Sequence, residues 1–280
     1  MTILVTGVAG FIGFSFAKKI LEKKKKEKII GIDNFNNYYD VNLKKNRVKL
    51  LKTKFKKKII IKKIDIKNKS NLEKIFKLYK ISKIVHLAAQ AGVRYSILNP
   101  DSYIDNNIVG FNNLMTLAIK YRVKQIIYAS SSSVYGGIKK KNLNENLKIN
   151  DPIQLYAATK IANEMIANAY SHLHKIPTVG LRFFTVYGPW GRPDMVPFKF
   201  LNNIYQNKKI DVYNFGKNYR DFTYIDDITE GIFKINENLI KKNIKHEIFN
   251  IGNGQPINIL NFINEVEKQL KIKINKNYLP

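Results

Sequence analysis

The sequence predicts an α/β fold, a doubly wound parallel sheet followed by a smaller C-terminal region. Three observations carry that expectation. Short apolar runs alternate with segments of helical periodicity through the first part of the chain. A glycine-rich turn, Gly7 to Gly13, separates the first apolar run from the first helical segment. After Tyr187 the pattern gives way to the turn-rich stretch Gly188-Pro189-Trp190-Gly191-Arg192-Pro193. The 280 residues suit one large α/β domain, or a larger domain with a smaller one appended. The expected division is 1–187 and 188–280, the second part interleaved with the first.

The elements follow in order. Ile3 to Thr6 reads as a short apolar strand and Phe11 to Leu21 as a helix. Ile29 to Ile32 and Ile59 to Ile64 are the second and third strands, and Asn71 to Tyr79 is a helix. Ile84 to Ala88 is the fourth strand. Asp101 to Tyr121 is one long helix, capped near Pro100. Gln125 to Ala129 is the fifth strand, Ile153 to His174 a helix, and Thr178 to Phe184 the sixth strand. Beyond Tyr187, helices are expected at Val196 to Asn207, at Asp227 to Ile240 with Asp227 as N-cap, and at Ile259 to Leu270. Short strands are expected within Ile210 to Tyr224 and at Glu247 to Ile251.

Composition bounds the class. Hydrophobic residues make up 45% of the chain, enough to bury a core. No apolar run approaches the roughly 20 residues of a membrane span. The strand that opens at Thr2 has no basic leader before it, so a cytoplasmic location is expected. The chain has no cysteine, which removes disulfides, thiolate catalysis and cysteine metal sites. The 49 Lys and Arg residues against 21 Asp and Glu give a net charge of +28. Such a balance can mark a nucleic-acid binder. Here the excess is mostly lysine, spread along the chain at Lys23 to Lys26, Lys56 to Lys58, Lys62 and Lys63, Lys139 to Lys141, and Lys241 and Lys242. It accompanies heavy Ile and Asn use, the pattern of AT-rich coding, so solvated lysines are expected rather than a nucleic-acid face.

Three motifs carry chemistry. In Gly7-Val8-Ala9-Gly10-Phe11-Ile12-Gly13 the glycines let the turn close and let backbone approach a pyrophosphate at a helix N-terminus. Asp33 ends the second strand, where a carboxylate can accept hydrogen bonds from an adenosine ribose and would repel a 2′-phosphate, so NAD is favoured over NADP. Asp65-Ile66, after the third strand, fits either an adenine contact or an ordinary loop. Tyr156 and Lys160 are four residues apart, so one helix face carries both. An ammonium beside a phenol, with the nicotinamide charge, lowers the phenol pKa and makes a base, although this spacing also arises by chance. Ser130-Ser131-Ser132-Ser133-Val134-Tyr135-Gly136 ends the fifth strand, where ligands bind in parallel sheets. A hydroxyl there can bridge a substrate oxygen to Tyr156, or the stretch can simply be a polar turn. No metal site is expected.

Taken together, these motifs resemble the extended short-chain dehydrogenase/reductases, the Rossmann-type NAD-dependent epimerase/dehydratase family, over essentially the whole chain. Longer stretches are similar to its UDP-glucuronate 4-epimerase subgroup: Asp33 to Leu43, His86 to Ser96, Leu155 to Lys160, Arg182 to Met195, and Arg220 to Asp227. The resemblance implies that Gly7, Gly10, Phe11, Ile12, Gly13, Asp33, Asp65, Ile66, Ala88, Asn106 and Lys160 hold NAD. It implies a catalytic set of Ser131, Tyr156 and Lys160. Thr185 would meet the sugar nucleotide, and Arg220 its diphosphate. Related dehydratases and decarboxylases carry an acidic residue just before the Val-Tyr-Gly; Ser133, preceded by Ser132, stands here, which leaves epimerisation.

The reaction so implied converts UDP-glucuronate to UDP-galacturonate through a 4-keto sugar. That β-keto acid loses carbon dioxide unless its carboxylate is gripped. Arg192, Ser132 and Ser133 are candidates, with Arg94 a weaker one, while Arg192 could instead only brace its turn. A homodimer is the expected assembly. Three alternatives stay open: an epimerase of UDP-glucose and UDP-galactose, a polyanion-binding protein, and an inactive remnant. The last arises because relatives are expected to continue beyond Pro280, so the C-terminal region reads as truncated.

Overall fold

The computed structural model describes residues 1–138, 143–240 and 244–280. Two of the expected lysine groups, Lys139 to Lys141 and Lys241 with Lys242, lie outside the described residues. Six strands alternate with helices: β1 (Thr2–Thr6), α1 (Phe11–Lys23), β2 (Lys28–Asp33), α2 (Val41–Phe55), β3 (Ile59–Lys63), α3 (Lys69–Leu78), β4 (Lys83–His86), α4 (Tyr95–Leu98), α5 (Pro100–Tyr103), α6 (Gly110–Lys120), β5 (Gln125–Ser131), α7 (Leu155–His174) and β6 (Thr178–Phe183). The C-terminal part adds β7 (Thr185–Tyr187), α8 (Val196–Tyr205), β8 (Ile210–Val212), β9 (Tyr219–Tyr224), α9 (Ile225–Asn238), β10 (His246–Ile251), β11 (Pro256–Asn258), α10 (Ile259–Leu270) and β12 (Lys276–Tyr278).

The main sheet runs β3-β2-β1-β4-β5-β6-β10, with every pairing parallel. This is the Rossmann-type doubly wound order, with its topological switch between β1 and β4. Both faces of the sheet are covered at its centre, so β1, β4, β5 and β6 are largely buried on both sides, whereas the edge strands β3 and β10 are partly exposed. Ile3 and Val5 pack with Phe14, Phe16, Ile20, Ile228 and Ile232, from α1 and α9. Leu4 and Ile84 pack with Leu72, Ile75, Phe111, Leu114 and Ala167, from α3, α6 and α7.

Three local differences from the sequence expectations have physical causes. Helix α2 was not expected, because its buried face carries Lys44 and Arg47 beside Val48 and Leu51 and so shows no clean apolar stripe. The helix expected at Asp101 to Tyr121 runs as α5, a π-helical segment at Ile104–Val109, and α6, with the Asn99 side chain capping Ser102 N–H. Asn106 and Asn107 are the buried residues of the π-helical segment. Helix α9 starts at Ile225 with Tyr224 in the cap position, so Asp227 is not the N-cap; Asp226 and Asp227 lie in the first turn, where they favour the helix dipole.

Beyond the main sheet, β11, β9 and β7 form a three-stranded sheet, and β12 pairs with β8. Phe200, Ile210, Phe222, Ile259, Ile263 and Ile274 close over a separate small core. Strand β10 and helix α9 come from behind residue 188 yet complete the first core, while β7 from before it joins β9. Among the described residues no helix is long and apolar enough to cross a membrane.

A buried ion pair joins α7 to β6. Arg182 Nε and Nη2 donate to the two Glu164 carboxylate oxygens at 3.0 and 2.8 Å, and Ser130 Oγ donates to the same carboxylate at 2.5 Å. Both side chains are at most 3% exposed. Removing one partner strands the other charge away from water, so Glu164→Ala should cost about 3–5 kcal/mol of stability in urea unfolding. An unchanged unfolding midpoint would contradict this.

Candidate active site

A cleft of about 1870 Å³ opens along the C-terminal ends of the parallel strands. Its floor is the glycine turn. Gly7 sits at φ +68°, and a Cβ there would lie 2.7 Å from Ala88 N. A Cβ on Gly13 would lie 2.1 Å from Gly7 O, so α1 can pack against the turn only if that residue is glycine. Gly10 occupies the N-cap position of α1, and Phe11 and Ile12 line the cleft beside it. The absent side chains leave backbone N–H groups facing the space a pyrophosphate needs.

Asp33 closes one end of this floor. Its carboxylate accepts hydrogen bonds from Ala9 N–H at 3.0 Å and Phe35 N–H at 2.8 Å. Burial pushes its pKa up, opposed by the Phe35 amide, the Lys44 charge, the Ala9 amide and the Arg47 charge. Ile66, Ala88 and Asn106 also line the cleft. Thr6 Oγ1 accepts from Leu87 and Ala88 N–H and meets His86 Nδ1 at 2.7 Å, which pins the backbone that carries Ala88. Burial first, then the Lys160 charge, push the His86 pKa down to about 3, so the ring is neutral. Asp65 does not line the cleft: it accepts from Lys67 N–H and from Asn34 Nδ2 at 3.2 Å, and so braces the loop behind Asp33.

Helix α7 and the end of β5 supply the other wall. Lys160 is 2% exposed, and its ammonium donates to Ala129 O at 2.8 Å. Burial lowers its pKa to about 8, with Glu164 opposing. Ser131 Oγ donates to Ser133 Oγ and accepts from Ser133 N–H, both at 3.1 Å, and Ser132 lines the cleft between them. Burial raises the Tyr156 pKa, while a hydrogen bond with Ser131 and the Arg192 charge lower it. Here the structure differs from the sequence expectation: the groups that ease ionisation of the phenol are Ser131 and Arg192, because the Lys160 ammonium is turned to the Ala129 carbonyl.

Thr185, at the start of β7, and Arg220, on β9, face the same cleft from the C-terminal part. Arg220 has no carboxylate partner among the described residues, and burial lowers its pKa. Arg192 is engaged: Nε and Nη2 grip Asp194 at 3.0 and 2.5 Å. Tyr38 Oη donates to Asp194 at 3.1 Å, and the Tyr38 ring lies 5.7 Å from the guanidinium. Burial alone would lower the Arg192 pKa, but the Asp194 carboxylate raises it overall.

Lys44 and Arg47 are absent from the sequence expectations, and Tyr38 and Asp194, which fall in the family-like stretches, have no role assigned there. Lys44 Nζ donates to Asn36 O at 2.7 Å, close enough to Asp33 to favour its charged form. Asp40, whose carboxylate caps Asn42 N–H, was the available signal for the start of α2.

Residues 3–252 match the NAD dependent epimerase/dehydratase family. The Staphylococcus aureus protein CapI is 44% identical over 293 residues, covering all of this chain and 86% of that one. The Arabidopsis thaliana UDP-glucuronate 4-epimerase 4 is 42% identical over 292 residues, covering all of this chain and 66% of that one. The crystal structure of the Bacillus cereus UDP-glucuronic acid 4-epimerase, in complex with UDP-glucuronic acid and NAD, superposes with a TM-score of 0.92 at 35% identity, covering all of this chain and 86% of that one. With its glycine turn, its Tyr156 and Lys160 on one helix and likenesses that span the whole of this chain, the chain belongs to the NAD dependent epimerase/dehydratase family.

Proposed function

We propose that this chain is an NAD-dependent 4-epimerase that converts UDP-glucuronate to UDP-galacturonate. The observation that carries the reading is one continuous cleft that Tyr156, Ser131 and Arg192 line together with the glycine turn and Asp33. The turn's missing side chains and the Asp33 carboxylate fit a dinucleotide with a free ribose 2′-hydroxyl. In this reading Gly7, Gly10, Phe11, Ile12, Gly13, Asp33, Ile66, Ala88, Asn106 and Lys160 hold the cofactor, and Asp65 supports them from behind.

NAD, when bound, supplies a reversible acceptor for the sugar C4 hydride. Tyr156 takes the proton of the 4-hydroxyl, with Ser131 orienting that hydroxyl, and returns it at the end of the cycle. Lys160 keeps the end of β5 fixed through the Ala129 carbonyl. Residues 188–280, with β7, form the substrate-binding region. There Arg220 pairs with the diphosphate, for which a guanidinium fork is well suited, and Thr185 meets the sugar. Ser132, Ser133 and Arg192 hold the uronate carboxylate, so that the C5–C6 bond stays out of line with the ketone. A second reading, a neutral-sugar 4-epimerase, draws support from one observation: Asp194 already occupies two donors of Arg192. Turnover of UDP-glucose without turnover of UDP-glucuronate would select it.

A homodimer belongs to the same proposal. Ile97, Leu98, Ile104, Val109 and Met165 leave apolar surface exposed on α4, the π segment and α7. Sedimentation should therefore give twice the chain mass; a monomer at micromolar concentration would remove this part.

Purified protein supplied with UDP-glucuronate and NAD, with products separated, tests the main claim through two variants. Tyr156→Phe should lower turnover on the order of 10²-fold or more while calorimetry still detects NAD binding; a variant that keeps most of its rate would exclude Tyr156 as the base. Arg192→His should slow epimerisation and release a UDP-pentose, or its keto form with NADH. If it folds, keeps its rate and yields no pentose, Arg192 does not hold the carboxylate.

A further inference from the structure

We propose that Arg47 is a positioning residue, a buried strut that couples occupancy of the glycine turn to the placement of Arg192. The inference rests on the cofactor and carboxylate roles proposed above for the turn and for Arg192.

Arg47 rises from α2 and is 0% exposed. Its donors divide between two sides. Nη1 donates to Ala9 O at 2.9 Å, inside the glycine turn, and to Tyr39 Oη at 2.8 Å. Nη2 donates to Trp190 O at 2.5 Å and Gly191 O at 3.1 Å. Nε makes no hydrogen bond among the described residues. All four bonds therefore go to neutral oxygens, although the Asp33 carboxyl feels the guanidinium charge. A planar guanidinium holds its donors in a fixed fork, so the oxygens on the two sides are held at one relative placement.

Both ends of the strut touch working parts. On one side, Ala9 gives its carbonyl to Arg47 and its N–H to Asp33. A ligand that fills the turn and bonds Asp33 bears on that same residue. On the other side, Trp190 takes φ +65°, a left-handed backbone that a bulky side chain adopts only where its surroundings enforce it. Arg47 fixes its carbonyl, and Phe14 of α1 packs on its ring at 5.6 Å. Gly191 follows, so close to its neighbours that a Cβ would lie 2.2 Å from the Phe198 ring. Arg192 is the next residue. Its origin is thus set by two carbonyls that Arg47 holds, and a shift at Ala9 has a direct mechanical route to it. A side chain needed only to fill space between α2 and the turn would not have to carry a charge or bind carbonyls from separate segments.

Trp190 is the chain's single tryptophan and does not line the cleft, so its emission reports this loop without contact from nucleotide. Oxidised NAD is titrated into the protein while calorimetry follows binding in parallel. The unmutated protein should show a saturable change in Trp190 emission whose midpoint matches the calorimetric one. Arg47→Lys keeps the buried charge but replaces the fork with one ammonium, which cannot hold both sides in register. It should still bind NAD and lose the emission change, with kcat/KM for UDP-glucuronate falling on the order of 10²-fold and a pentose product appearing. A full emission response in folded Arg47→Lys overturns the strut, as does calorimetric binding to the unmutated protein without any emission change. The second of these outcomes also decides the matter if the variant does not fold. A normal emission response, lost in Arg47→Lys, in a protein that never converts UDP-glucuronate leaves the strut standing and removes the epimerase reading. No heat and no emission change together overturn the cofactor reading and the strut with it.

Discussion

The Lys160 ammonium bonds the Ala129 carbonyl, and one helical turn further on Glu164 takes the Ser130 hydroxyl and the Arg182 guanidinium. These contacts clamp the end of β5 between α7 and β6. The placement of Ser131 against Tyr156 depends on them, because Ser131 is the next residue of the clamped strand and Tyr156 the preceding turn of the clamping helix. The network then reaches outward: Arg182 Nη1 donates to Tyr135 Oη, which donates to Asn250 on β10 at 2.7 Å. A buried charge network tolerates few alternative arrangements, since each unpaired member would be costly. The wall that carries Ser131, Tyr156 and Lys160 is therefore held on both sides.

The opposite wall is held differently. The glycine turn is shaped by close backbone approach, with Gly13 against Gly7 O, and by Asp33 accepting the Ala9 amide. Arg47 extends this floor to the loop before Arg192. One wall thus presents the phenol and hydroxyls and the other the glycine turn with Asp33. The C-terminal part contributes Thr185, Arg192 and Arg220 across the opening. Its strands and helices are threaded through the first part, so the cleft is formed by one interlocked body.

Much of this was legible in the sequence. Central strands buried on both faces, β1, β2 and β4, show short Ile, Leu and Val runs, and β1 to β6 were located with small errors at their ends. Helix α10 was placed at Ile259–Leu270, because one apolar stripe faces a small core. The glycine turn was readable because its spacing has a steric cause. Helix α2 was hidden because its inward face carries Lys44 and Arg47, cations that pattern reading assigns to solvent. Lys83, buried at the start of β4 and bonded to Asn236 O, shows the same limit. The pairing of Arg192 with Asp194 was not legible either. A carboxylate two residues away in a turn gives no periodic signal, and its consequence appears only when Tyr38 is seen beside it.

Epimerisation in a single cleft requires that the hydrogen at C4 leave the sugar and return to its other face without reaching solvent. The most direct measurement follows UDP-glucuronate carrying deuterium at C4 through conversion in ordinary water, with product analysed by mass spectrometry and NMR. The expected product is UDP-galacturonate with deuterium retained at C4. Product that has lost its label to water, or recovery of unconverted substrate under conditions where NAD binds, would contradict the epimerase reading.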